Sequence, residues 1–265
     1  MSPALALPDG LRWMDAGNAG PFTLEGTRTF LVGRSRVVVI DPGPDRRPEH
    51  LDALAAAVAD ADSVTVLVTH GHGDHSGGAP ALARRLGVPV FGAWAGKGPP
   101  DGLDFRLLSD GEVVPTDAGD LVAVATPGHA RAHLAFHWPA ASAVFVGDLM
   151  LGQGETTWVG EYPGCVADYL ASLDRVEGLG ARLLLPTHGP AIDDPAERIQ
   201  RYRSHRLERV AQVARALAAE PGLSAGELYQ RVYGRAVPPD LAAAAYASLD
   251  ALVDYARASG LGPGH

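Results

Sequence analysis

Cysteine is nearly absent. Cys165 is the only one in 265 residues, so no disulfide can close within the chain. Lysine is as scarce, with Lys97 alone, and acidic residues outnumber basic ones to give a formal net charge of −9. That balance disfavours non-specific binding to a nucleic-acid backbone. No apolar run approaches the ~20 residues of a membrane span. Met1 to Trp13 lacks a basic stretch followed by an apolar one, so no secretory signal is visible. These absences predict a cytoplasmic chain with no membrane partner. With 46% hydrophobic residues, it can build one large domain and a small appendage.

What the chain does have is a dense polar stretch, Thr69-His70-Gly71-His72-Gly73-Asp74-His75. It follows the apolar run Val64–Val68 and precedes a helical pattern from Ala79. A strand that opens into a loop and a helix is where α/β proteins place their chemistry. Imidazole and carboxylate are the donors a borderline divalent metal such as zinc prefers. His70 and His72 are two apart, so extended backbone points both the same way. Asp74 and His75 come after the chain turns and can serve a second metal. The plainer reading is a solvated polar loop, which would not need three imidazoles and a carboxylate together.

Phe22–Gly33 and Arg36–Asp41 read as a hairpin, stopped by Asp41-Pro42-Gly43-Pro44. Pro48–Ala59 and Ala79–Leu86 have helical spacing, the second ending at Gly87. Val88–Phe91 is a short strand, and Gly92–Asp104 is an irregular loop. Strand-like runs follow at Phe105–Leu108, Leu121–Ala125, Leu134–Trp138, Ala143–Val146 and Arg182–Pro186, with a helix at Asp168–Val176. Two strand series, each with helices, predict an α/β fold of two packed sheets with helices outside, a four-layer αββα sandwich over residues 1–195. Residues 196–265 form a second, helical module. In its long first helix Ile199, Leu207, Val210, Val213 and Leu217 are the expected apolar face. Ser224 and Glu227 form a capping box, and a third helix starts near Pro238.

The polar loop supplies at most four ligands, whereas a two-metal hydrolytic site needs about six or seven. Thr126-Pro127-Gly128-His129, Gly147-Asp148 and Thr187-His188-Gly189 each follow a strand run. Alone, each reads as a satisfied histidine or a turn. Recurring beside the loop, they read as ligands. The order His-x-His-x-Asp-His, Pro-Gly-His, Gly-Asp, Thr-His-Gly resembles the metallo-β-lactamase fold superfamily. Asn18–Thr27, Leu151–Gly154 and Tyr202–Arg206 resemble its lactamase-beta-2-like group, whose winged-helix-like appendage corresponds to the tail. The resemblance implies that His70, His72 and His129 hold one metal, and Asp74, His75 and His188 the other, with Asp148 bridging. It implies two divalent ions, zinc first, with manganese or iron as alternatives. It departs from the group at Arg28 and at Ala130-Arg131-Ala132 after His129, so the substrate side is expected to differ.

The expected activity is hydrolysis by a metal-bridging hydroxide. Asp74 orients the nucleophile and Asp148 holds both ions. A small acyl ester or thioester is the preferred substrate, and β-lactams are not expected. The alternative is a phosphodiesterase or endoribonuclease acting on single-stranded RNA. A different class, a non-enzymatic metal-binding regulatory module, is disfavoured by the complete ligand set, and a flavodiiron oxidoreductase by the intact histidines. The tail carries nine arginines against seven acidic residues from Ala196 onward. Arg198, Arg201 and Arg209 share one helical face, which reads either as a solvated face or as an anion-recognition surface. Arg203 and Arg206 fall on the apolar side. His133 is a candidate to support the ligands or donate a proton. Trp158, Glu161, Tyr162 and Arg206 are candidate substrate contacts. His137 lies on the same alternating strand as His133 and reads as a packed or exposed sheet residue. His50, His205 and His265 have no metal-spacing partner, and Cys165 is a small residue at a helix start.

Overall fold

The structure is a computed structural model that describes residues 7–94, 98–234 and 237–261. Lys97 and His265 lie outside the described residues. β1 (Leu11–Asp15), β2 (Arg28–Val32), β3 (Arg36–Ile40), β4 (Ser63–Val68), β5 (Val90–Gly92) and β6 (Phe105–Leu107) form one sheet in sequential order. β7 (Val113–Val114), β8 (Leu121–Ala125), β9 (Leu134–Trp138), β10 (Ala143–Gly147) and β11 (Leu183–Pro186) form the other, also in sequential order. β3 to β6 are parallel, as are β10 and β11. The helices are α1 (Pro48–Ala57), α2 (Gly73–Ser76), α3 (Ala79–Leu86), α4 (Cys165–Gly178), α5 (Pro195–Ala219), α6 (Ala225–Val232) and α7 (Ala242–Ala258).

Strand alternation builds the layers. Val38 and Ile40 of β3 join Phe30, Phe136 and Phe145 between the sheets. Val37 and Val39 face the other way, onto Leu54 of α1 and Leu82 of α3. In β10, Val144 and Val146 lie opposite Phe145 and pack on Tyr169 and Leu173 of α4. A side-chain period of two feeds both faces of each sheet, and each fully buried Leu, Val or Phe stabilises the fold by about 1.5–3 kcal/mol. The four-layer αββα sandwich is what the sequence pattern leads one to expect.

The tail helices share a hydrophobic cluster with α4 and β10. Val210, Val213, Leu228, Leu249 and Leu252 lie in the same cluster as Val144, Tyr169 and Leu173. Ser224 and Glu227 form the reciprocal capping box that their spacing predicts. Among the described residues no strand follows α5.

Several local expectations are corrected. β1 and β7 are additional strands: β1 buries one side chain fully, and β7 is two residues long, so neither carries a strong apolar pattern. Phe22–Gly26 is not strand. It is a tight turn with a single bridge from Gly20 to Leu24, and Leu24 takes φ 56. Leu207 is 44% exposed, because α5 turns its Val210 and Val213 face inward and leaves Leu207 outside. α4 begins at Cys165, three residues earlier than its spacing suggests, and buries it.

Candidate metal centre

The site lies at one end of the sandwich, in turns that follow β3, β4, β8, β10 and β11. The two sheets are hydrogen-bonded to each other there. Leu134 N donates to Thr69 O at 2.8 Å and Arg28 N to Thr187 O at 2.9 Å, and single bridges link His70 to His133 and Thr27 to His188. Gly147 allows this closure. It takes φ 50, and a Cβ there would lie 2.7 Å from His133 Nε2 and 3.0 Å from Thr69.

β4 ends at Val68, two residues before His70, and His72 is extended (φ −66, ψ 144). Both rings therefore point the same way, with His70 Nε2 2.9 Å from His72 Nδ1. His129 Nε2 is 3.0 Å from the same His72 nitrogen. α2 then turns the chain and presents Asp74 and His75. Asp74 Oδ2 is 3.2 Å from His188 Nε2 and 3.6 Å from His75 Nε2. Asp148 lies between the two groups. Its Oδ1 is 3.4 Å from the Nε2 atoms of His75 and His188, and its Oδ2 is 3.5 Å from His129 Nε2. Donor atoms lie within 4.8 Å of one another in each of three sets: His70, His72 and His129; His70, His75 and Asp148; and Asp74, His75 and His188.

The outward ring nitrogens fix which atoms carry lone pairs. Thr69 Oγ1 donates to Asp41 Oδ2, so at 3.0 Å it accepts from His70 Nδ1. His75 Nδ1 donates to Asp41 Oδ2 at 2.8 Å, His129 Nδ1 to Trp158 O at 2.8 Å and His188 Nδ1 to Gly26 O at 3.1 Å. In each of these four rings Nδ1 is engaged outward, which leaves Nε2 as the inward nitrogen able to meet a metal. The buried atoms His75 Nε2, Asp148 Oδ1 and His188 Nε2 have no hydrogen-bond partner. Converging lone pairs and a buried unsatisfied carboxylate oxygen are costly unless a cation answers them, so the residues fit a divalent ion on each side of Asp148.

The electrostatics agree. Burial, with His75 and His129 beside it, holds His70 well below its ordinary pKa, and burial foremost brings His129 down to about 4. Both are neutral, the form that binds metal. Burial opposes ionisation of Asp74 and Asp148, but His75 holds Asp74 at about 2, and His188 and His75 hold Asp148 well below the carboxylate range. Burial also opposes charge on His75, yet Asp148, Asp74 and Asp41 raise it well above the usual value. A proton on His75 and a metal ion answer the same negative field.

The cluster opens into a cavity of about 740 Å³. His72, Asp74, His129 and Asp148 line its floor, and Leu151–Trp158 forms one side. Arg206 and Arg209 of α5, with Tyr233, Val237, Leu241 and Ala245, line another side. The Trp158 ring stands 5.8 Å from the rings of both His72 and His129.

Residues 23–188 match the metallo-β-lactamase superfamily. A β-lactamase-like protein 2 homolog of Caenorhabditis elegans is 30% identical over 241 residues, covering 88% of this chain and 79% of the relative. The chain belongs to the metallo-β-lactamase superfamily. An atrochrysone carboxyl ACP thioesterase of Aspergillus chevalieri is 37% identical over 236 residues, covering 85% of this chain and 73% of that protein. In fold, a metallo-β-lactamase family protein of Thermus thermophilus superposes with a TM-score of 0.77 at 24% identity, over 96% of this chain and 95% of its own. A β-lactamase domain protein of Burkholderia ambifaria does so with a TM-score of 0.79 at 23% identity, over 97% and 92%. As a member of the superfamily, the chain is a metal-dependent hydrolase and not a true β-lactamase.

Within this superfamily member, the seven residues expected as ligands come together. His133 sits beside them as a support. Asp148 N donates to its Nε2 at 3.3 Å, so its Nδ1 carries the proton and donates to Thr126 Oγ1 at 2.8 Å. Fully engaged and buried, it has no proton to offer a substrate. Trp158 and Arg206 line the cavity, but Tyr162 does not. Its hydroxyl donates to Asp168 at 2.8 Å, and Arg131 stacks 4.2 Å over its ring. Glu161 is half-buried, accepts from Arg131 N at 2.6 Å and reaches within 3.8 Å of His72 Nε2. The departures at Arg28 and Ala130–Ala132 lie off the cavity wall. Arg28 pairs with Asp15 and Glu25 and donates to Gly189 O, bracing the turn after His188.

Sequence reasoning passed over Asp41. It is fully buried at the end of β3 with φ 53. It accepts from Thr69 N and Thr69 Oγ1 at 2.8 Å, from His75 Nδ1 at 2.8 Å and from Thr187 Oγ1 at 3.0 Å. One carboxylate thus orients His75 directly, His70 through Thr69, and the His188 turn through Thr187. Its available signal was position: an acidic residue ending β3, the parallel neighbour of β4.

Proposed function

We propose that the protein is a dinuclear metal hydrolase, with zinc as the ion that best suits a mixed imidazole and carboxylate donor set, and that it cleaves a small acyl ester or thioester. The observation that carries this reading is Asp148 standing between two converging donor sets, with its Oδ1 and the Nε2 atoms of His75 and His188 buried and without a hydrogen-bond partner. Two divalent ions held there supply Lewis acidity and lower the pKa of a water from 15.7 toward about 7.

The chain's own groups do the rest. Asp148 holds the two halves of the site together through its separate oxygens. Asp74 faces the cavity and accepts a hydrogen bond from the attacking water, which orients it. His133 fixes the backbone that carries Asp148, and Asp41 keeps His75 in the tautomer with Nε2 inward. Trp158 gives a flat wall beside His72 and His129, against which the acyl group lies as its carbonyl meets the site. The largely apolar cavity suits a compact acyl compound better than a polynucleotide, and relatives bearing the name thioesterase support the ordering.

The test is a hydrolysis panel of acyl-CoA thioesters, S-lactoylglutathione, a phosphodiester reporter and single-stranded RNA, each with and without chelator. Chelator-sensitive thioester cleavage is the expected result. RNA cleavage with inert thioesters would replace the reading by a phosphodiesterase.

A further inference from the structure

The helical wall of the cavity carries a cation that the mechanism does not use. Arg206 is 3% exposed and lines the cavity. Its Nη2 donates to Thr157 O at 2.9 Å and to Thr156 Oγ1 at 3.4 Å, and its guanidinium carbon sits 5.3 Å over the Tyr169 ring. Its Nε is buried without a partner. Among the described residues no carboxylate lies within 4.0 Å of it, although Arg203 on the same helix is paired with both Asp174 and Glu177. Glu208, two residues on, is exposed and paired with neither Arg206 nor Arg209, whereas Arg209, three residues on, also lines the cavity. Arg209 holds only neutral oxygens, Val232 O at 2.7 Å and Gln212 Oε1 at 2.9 Å. His205, beside Arg206 on the same wall, has a buried Nδ1 with no partner.

A buried guanidinium without an anion is unfavourable unless something else supplies one. The acidic residues lining the cavity are Asp74 and Asp148, engaged in the metal cluster, and Glu155, exposed on the Leu151–Trp158 side and paired with neither arginine. The cavity's exposed lining is otherwise mostly apolar, with Leu151, Val237, Leu241, Ala244 and Ala245 among its residues. A ligand that satisfies both ends has an apolar body, an ester bond at the metal centre and a negative oxygen group at α5.

We propose that Arg206 and Arg209 form an anion subsite that selects esters and thioesters carrying a second, negatively charged carboxylate or phosphate away from the bond to be cleaved. This rests on the hydrolase reading above. Arginine suits the task because its planar fork meets two oxygens of either group at once.

The test separates binding from hydrolysis by using thioether probes that cannot be cleaved, measured by titration calorimetry on the metal-loaded protein. Three probes are compared: an alkyl thioether of N-acetylcysteamine ending in a methyl ketone, the same chain ending in a carboxylate, and the neutral chain on coenzyme A. An anionic probe should bind at least about 10-fold tighter than the neutral one. Preference for the carboxylate chain places the charge on the acyl part, and preference for the coenzyme A probe places it on the thiol carrier. Arg206→Met and Arg209→Met should each erase most of the preference while leaving the neutral probe's affinity within about twofold, whereas a purely structural role would weaken all three probes alike. Arg209 is only half-buried, so its variant keeps the test open if Arg206→Met fails to fold. Equal binding of neutral and anionic probes overturns the subsite. So does a preference that survives both substitutions, since the metal cluster would then be its source. An anion preference alongside an inert thioester panel would leave the subsite standing and remove the thioester reading instead.

Discussion

The donor cluster and the opposite wall of the cavity come from different parts of the chain and are held by different forces. All seven donors sit in turns that follow strands, where the ladders of β4, β8, β10 and β11 fix backbone direction and hydrogen bonds to Asp41, Trp158 O and Gly26 O fix each ring. The wall is made largely by α5 and α7, which are placed by side-chain packing against α4 and by arginine contacts from α5 to α4 and to the Leu151–Thr157 segment. Chemistry needs sub-ångström placement and gets it from backbone ladders and buried hydrogen bonds. Substrate shape tolerates variation and is left to helices whose packing can be changed residue by residue. The two regions should therefore fail differently.

The sharpest separation comes from the cluster. His72→Ala removes the nitrogen that lies 2.9 and 3.0 Å from its two partners. Native mass spectrometry should show loss of the ion held with His70 and His129. Hydrolysis should fall by about 1000-fold or more, the scale on which electrostatic stabilisation of an oxyanion operates. The fold should persist by circular dichroism, because His72 is half-exposed and in no hydrophobic cluster. Full activity in a variant that binds no ion at that position would sink the mechanism.

Leu252→Ala is the counterpart on the wall. Leu252 is fully buried in the cluster that joins α7 to α4 and α5. Its truncation should lower the unfolding free energy by about 2–5 kcal/mol, read by urea titration, with the metal content unchanged. Loss of metal in this variant would mean that the tail supports the cluster directly, and the contrast between the regions would collapse.

Asp41→Asn probes the support beneath the cluster. Asparagine tolerates positive φ, so the backbone is spared, but its amide cannot accept all four hydrogen bonds and carries no charge to hold the proton on His75 Nδ1. Metal affinity should drop by about 10–100-fold, measured by competition with a chelator, and more at the ion held by His75 than at the one held by His72. An equal loss at both ions would show that Asp41 acts through His70 and Thr69 as much as through His75.

The same contrast explains what could be read from sequence. Strand-end ligands were legible because the chemistry requires fixed residue types in a dense pattern, and because apolar runs such as Leu121–Ala125 and Leu183–Leu185 announce the strands before them. Asp41 was not, since Asp-Pro-Gly is also how a strand stops, and its partners Thr69 and Thr187 are 28 and 146 residues away. Tyr162 was misplaced because an aromatic residue in a loop after Asp148 can face the cavity or the core, and only the contact with Arg131 decides. On α5, helical spacing placed Arg203 and Arg206 inward correctly. It also grouped Arg198, Arg201 and Arg209 as one basic face. In the structure Arg198 donates to Leu151 O, Arg209 to Val232 O, and Arg201 alone keeps to solvent with its i,i+4 partner Glu197. Spacing gives a direction around a helix, not what meets it.

The smallest effect tests whether the wall can be loosened without touching the cluster. Ser224 Oγ accepts from Glu227 N at 3.3 Å, and Glu227 Oε2 accepts from Ser224 N at 2.9 Å. The pair closes the start of α6, which carries Leu228 and Tyr229 into the tail cluster. Ser224→Ala removes half of the capping box and leaves a helix N–H to water, for a loss of about 1 kcal/mol and about 2–4 °C in the melting midpoint. Ser224 is exposed and lines no part of the cavity, so kcat for any substrate found in the panel should be unchanged. KM should rise slightly, if at all, because α6 ends next to Tyr233 on the cavity wall. A fall in kcat comparable to the His72 variant would show that the tail's stability and the chemistry are one cooperative unit, and that the wall is as rigidly specified as the donors it faces.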